Sequence, residues 1–96
     1  MTQETKALLE LVARRNADRP DGSNHGHVTL EATPETRLVC IASARELRNL
    51  GHDAAAFEAN GFATVELCWR GPHAKAPALK AAQNHRAAFP EMNQEI

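Results

Sequence analysis

The sequence predicts a small α+β domain, a three-stranded antiparallel sheet with helices packed mainly on one face, in the order α-β-β-α(α)-β-α. Three observations carry that expectation. Ninety-six residues, 43% of them hydrophobic, with a formal charge of -1, suffice for one globular unit and no more, so residues 1–96 form a single domain. The apolar spacing switches between a helical and an alternating period along the chain. Turn-forming residues stand between the periodic segments, at Asp21-Gly22, Thr33-Pro34, Asn60-Gly61 and Gly71-Pro72.

Thr2 caps a first helix on which Leu8, Leu11 and Val12 form an apolar stripe widened by Leu9. The opposite side carries Lys6, Glu10 and Arg14, with Glu10 and Arg14 in the favourable i, i+4 order, and the helix is expected to end near Asn16. Residues 16–26 hold Pro20, Gly22 and Gly26 and predict a long loop, longer than most connections in so small a domain. Val28, Leu30 and Ala32 alternate with Thr29 and Glu31 as a strand with one buried face. Thr33 to Thr36 predicts a four-residue turn, and Arg37 to Ala42, apolar on both faces, a second strand completing a hairpin.

Ser43 and Glu46 have the spacing of a capping box, which predicts a helix carrying Ala44, Leu47 and Leu50 inward. Gly51 offers a stop and Asp53 a fresh cap, so residues 44–60 are expected as one helix with a weak point or as two. Phe62 to Arg70 predicts the last strand, with Ala63, Val65, Leu67 and Trp69 on one face and Thr64, Glu66, Cys68 and Arg70 on the other. A final alanine-rich helix is expected from about Pro77 to Phe89, followed by a loose tail over 91–96. The simplest sheet sets the first strand between the other two, leaving Thr29, Glu31, Thr64 and Glu66 on a solvated face.

The functional expectation comes from exclusions. Near-neutrality argues against a strong field for nucleic acid or anionic lipid. The longest apolar run, Leu38 to Ala42, is far short of a membrane span, and the opening residues lack an apolar stretch of secretory length. The expected location is the cytoplasm, with Cys40 and Cys68 as reduced thiols. His25 and His27 stand at i, i+2, but Cys40, Cys68, His52 and His73 lie singly, without the paired spacing of a zinc site. Cys68 and His73 lack an orienting group or oxyanion site for nucleophilic chemistry. Glu31 and Glu66 could approach on the open sheet face, yet such residues there need no functional explanation. No catalytic residue, metal or cofactor is therefore expected.

A helix-turn-helix corner near Gly51 would present Asp53 to Asn60 to DNA, with two acids and no Arg or Lys. The GXXG loop by which KH modules clamp RNA would fall at Leu50-Gly51-His52-Asp53-Ala54, which lacks the second glycine. A binding module for RNA or DNA would have to rely on Arg14, Arg15, Arg19, Arg45 and Arg48, and ranks second. An enzyme or metal protein built on His25, His27 and Cys68 ranks third. First stands a non-catalytic protein that binds another protein, since Trp69-Arg70 joins the two residue types most enriched at interface hot spots. Eighteen alanines among the hydrophobic residues leave few large side chains for a core, which favours a homodimer. Such a chain suits an inhibitor or adaptor encoded by a phage or another mobile element.

Overall fold

A computed structural model describes residues 1–18, 23–70 and 92 of the chain. Helix α1 spans Gln3–Asp18, strand β1 Ser23–Glu31, helix α2 Pro34–Asn49, strand β2 Asp53–Ala59 and strand β3 Phe62–Arg70. The strands form one antiparallel sheet in the order β1-β3-β2. The α+β class with helices packed on a three-stranded antiparallel sheet is therefore what the chain forms. Within it β1 and β2, linked through α2, run parallel to each other with β3 between them, a split βαβ unit. The central strand is thus the third and not the first, and the order over the described residues is α-β-α-β-β.

The N-terminal helix begins as expected. Thr2 Oγ1 accepts the Thr5 backbone N–H at 3.1 Å, and Leu8 and Val12 are buried on one stripe. The helix runs two residues past Asn16, and β1 begins at Ser23 rather than near Val28. The loop expected over 16–26 is therefore replaced at both ends, while residues 19–22 lie outside the described part. Ladder pairing outweighs the turn preference of the intervening residues, since Ser23 to Gly26 lie in register with Arg70 to Leu67. Leu11 packs closely over Gly26: a β-carbon there would lie 2.7 Å from Leu11 Cδ2 and 3.3 Å from its Cγ, so the Leu11 side chain would have to shift to admit one.

The largest departure from expectation is residues 33–49. Thr33 is extended (φ -132°, ψ 165°) and acts as an N-cap: its Oγ1 accepts the Thr36 N–H at 3.1 Å, while Thr36 Oγ1 accepts the Thr33 N–H at 2.8 Å. Pro34 follows at the start of the helix, where its missing N–H costs nothing. What resembles a turn in the sequence is a helix start, and Arg37 to Ala42 are turns of α2 rather than a strand. Cys40, Ile41, Ala44 and Leu47 supply the buried stripe at helical spacing, and Leu38 is turned to solvent.

The Ser43 and Glu46 pair consequently opens no helix of its own. In the middle of α2 the backbone is already paired, so both side chains serve α1 instead. The Glu46 carboxylate accepts the Thr2 backbone N–H at 2.9 and 3.2 Å, and Ser43 Oγ lies 2.6 Å from Thr2 Oγ1. The Thr2 N–H first, and then the Thr5 side chain, hold the Glu46 carboxyl below its ordinary value of 4.5. A depressed acid stabilises the fold above its unfolded value, and that stabilisation is lost as pH falls through the folded value. Glu46→Gln is expected to flatten the acid side of the stability curve below about pH 4.5 while lowering stability at neutral pH, measured by urea unfolding across pH.

Gly51, at φ +92°, stops α2, as its position suggested. Asp53 to Asn60 then form β2 and its turn rather than a further helix. Asn60 (φ 53°) and Gly61 (φ 81°) are both left-handed, the geometry of a two-residue type I′ hairpin turn joining Ala59 to Phe62. The helix preference of the alanines yields to that turn and to burial within the sheet, of Ala54 and Ala56 in the core and of Ala55 and Phe57 on the other face. β3 occupies the expected Phe62–Arg70.

Leu8, Val12, Cys40, Ile41, Ala44 and Leu47 from the helices meet Ala54, Ala56, Ala63, Val65 and Leu67 from the sheet in one core. Across its edge, Arg37 of α2 pairs with Glu58 of β2 at 2.7 Å, a half-exposed contact of little energetic weight. The second sheet face differs from expectation at its centre. Thr29 and Glu31 are exposed, but Thr64 and Glu66 of β3 are buried, together with Cys68 and Phe57. Met92 packs against the core and donates its N–H to Ala56 O on the outer edge of β2, at 2.7 Å. The helix expected from Pro77 to Phe89, and the tail apart from Met92, lie outside the described residues.

Candidate protein-binding site

Trp69 and Arg70 close β3, and for these two residues the described part is the backbone. Trp69 lies in register with Asn24 and Arg70 with Ser23 of β1. On the other side the pairing with β2 stops at Asp53 and Cys68. The last two residues of the central strand therefore overhang β2, forming a shoulder at one end of the sheet with a strand neighbour on one side only among the described residues.

The long outer edge of β1 adjoins that shoulder. Ala32 donates its N–H to Gly61 O at 2.9 Å, toward β3, so alternation turns the backbone groups of Leu30, Val28 and Gly26 the same way. The groups of His25, His27, Thr29 and Glu31 face outward. Two outward carbonyls are occupied from within the chain: Thr36 Oγ1 donates to Glu31 O at 2.6 Å, and an Arg15 guanidinium N–H donates to His25 O. Between them the N–H and C=O of His27 and Thr29 have no partner among the described residues. The side chains of all four outward residues are exposed.

The arginines do not gather into one patch. Arg14 and Arg15 lie at the far end of α1, roughly 18 Å along its axis from Thr2. Arg45 and Arg48 flank the point where α2 meets Thr2, and Arg48 Nε donates to Ala44 O at 3.3 Å. Arg19 lies outside the described residues. The charges stand as separate pairs on two helices, one member of each bound to backbone.

His25 lies opposite Cys68, and Cys68 opposite Asp53; His27 lies opposite Glu66. Among the described residues, however, no three His, Cys, Asp or Glu side chains are arranged to hold a metal ion. Glu31 sits four register positions from Glu66, roughly 13 Å along the strands, so these carboxylates do not approach one another. Cys40 is buried, in a helix and not in a strand, and burial followed by the nearby Glu4 carboxylate pushes its thiol up to about 11. Such a thiol is a poor nucleophile at neutral pH. No helix among the described residues is long and apolar enough to cross a membrane.

No protein-family model, curated protein or solved structure matches the chain. The open edge of β1 was missed in the sequence because Ser23 to Gly26 read as loop. The signal present was the run His25, His27, Thr29, Glu31, polar at every second position and extending the alternation of Val28 and Leu30 toward the N-terminus.

Proposed function

We propose that the protein is a non-catalytic binding protein that recognises another protein through the end of the sheet bearing Trp69 and Arg70. The observation that supports this is the overhang of those residues beyond β2, which leaves one side of the central strand without a strand neighbour among the described residues where the chain carries Trp and Arg. A tryptophan offers a large apolar area at low entropic cost and an arginine a fixed fork of donors, the combination that dominates interface energetics. A role as inhibitor or adaptor in the cytoplasm, from a phage or other mobile element, is the form of this proposal that suits a small, nearly neutral chain.

The test is affinity capture from the native cell with the wild-type chain and with the Trp69→Ala, Arg70→Ala double variant. The variant is expected to keep its circular dichroism spectrum and lose the captured partner by at least tenfold, the scale of one hot-spot residue. Equal capture by both proteins would remove this shoulder from consideration.

A further inference from the structure

The geometry points to a second copy of this chain as the occupant of the β1 edge, joined antiparallel about a two-fold axis at Val28 so that two sheets become one of six strands. The backbone groups without a partner among the described residues define that axis, because the N–H and C=O of His27 and Thr29 lie symmetrically either side of Val28. In this register His27 faces Thr29 of the second copy and Thr29 faces its His27. Each such pair exchanges both N–H···O bonds, so four hydrogen bonds form on groups that the described residues leave open. Arg15 and Thr36, which close the carbonyls of His25 and Glu31, bracket the stretch and limit its length.

The side chains agree with the same register. On the exposed face His25 falls opposite Glu31 of the second copy, twice by symmetry, placing a basic group beside an acid. On the helix face Val28 meets Val28, and Leu30 of each copy falls opposite Gly26 of the other. Val28 and Leu30 are only partly buried within one chain, so a second copy completes their cover. Shifting the axis to His27 sets His27 against His27 and removes the His25 and Glu31 pairing. The isologous contact uses one patch on both molecules, as a closed dimer requires, and blocks an edge that would otherwise invite open-ended pairing.

Val28 belongs to the pairs that are not hydrogen-bonded to the second copy, where opposite α-carbons approach about 4.5 Å, within reach of a disulfide. Val28→Cys is therefore expected to form an intermolecular disulfide under mild oxidation, with Leu30→Cys at least tenfold slower. Sedimentation of the wild-type chain should show a dimer at micromolar concentration. Thr29→Pro should weaken it at least a hundredfold while keeping the circular dichroism spectrum, because the lost N–H faces away from β3 and proline is tolerated on an edge. Glu31→Lys should weaken it about tenfold, and adding His25→Glu should restore it. A wild-type chain that is monomeric at every concentration overturns the proposal, as does faster cross-linking through Leu30→Cys. Equal partner capture by the Trp69→Ala, Arg70→Ala variant, with the dimer intact, counts only against the role of Trp69 and Arg70, so the two proposals fail separately.

Discussion

Leu67→Ala is expected to lower stability by about 4–5 kcal/mol and leave the protein largely unfolded at physiological temperature. Leu67 is fully buried at the centre of the sheet, and its neighbours in register on the same face are Gly26 and Ala54. A truncated leucine costs most where the surroundings cannot collapse into the space left behind. Here one flanking residue has no side chain and the other a single methyl, so neither can fill the void. Domains of this size are stabilised by about 5–15 kcal/mol in total, and one whose apolar complement is so rich in alanine sits toward the lower end. The thermal midpoint should fall by roughly 20 °C or more. Leu50→Ala is the control, since Leu50 is 52% exposed and its loss should stay within about 0.5 kcal/mol. A Leu67→Ala protein within about 1 kcal/mol of wild type would show that the core is not arranged around β3.

The same smallness of side chains explains which parts of the fold were legible in the sequence. The first helix and β3 announce themselves because each has a strong periodic signal: Leu8 and Val12 with the Thr2 cap in one, and Ala63, Val65 and Leu67 in the other. Arg37 to Ala42 fit either period, and the deciding information lay just ahead of them, where the Thr33, Pro34 and Thr36 chemistry of a helix start is also that of a turn. The Asp53 to Ala59 segment inverts the problem. Its alanines favour a helix locally, yet the left-handed Asn60-Gly61 pair commits the chain to a hairpin, and pairing with β3 then overrides propensity. The Ser43 and Glu46 spacing resembles a capping box but starts no helix; in the middle of α2 both side chains meet Thr2 at the start of the other helix, a relation that only three-dimensional packing can reveal. For the candidate site, the Trp69-Arg70 pair was visible as chemistry, whereas its overhang and the open middle of β1 depend on strand order and register, which no local pattern encodes.

Cys40 supplies the second large effect, in its chemistry and in the response of the fold to alkali. Its thiol is held up to about 11, first by burial and then by Glu4, against 9.0 for an ordinary thiol. At pH 8 the thiolate fraction is then about a hundredfold lower in the folded chain than in the unfolded one, before access is counted. Cys68 is buried as well, so native protein should react negligibly with a thiol reagent at pH 8 and release both thiols on unfolding in urea. The linkage has a definite sign. Between pH 9 and 11 the unfolded chain gives up a proton that folded Cys40 retains, so the unfolded state binds fewer protons and stability falls as pH rises through that window. Below pH 9 the contribution is present in full. The chain contains no tyrosine, so the usual phenolic titration is absent from the same range. A thermal midpoint that is level near pH 8 and declines from pH 9 to 11, with a shallower decline in Cys40→Ala, is the expected result. Rapid modification of Cys40 in the native protein, or an alkaline decline that Cys40→Ala leaves unchanged, would mean that this face of α2 is not the one that packs against the sheet.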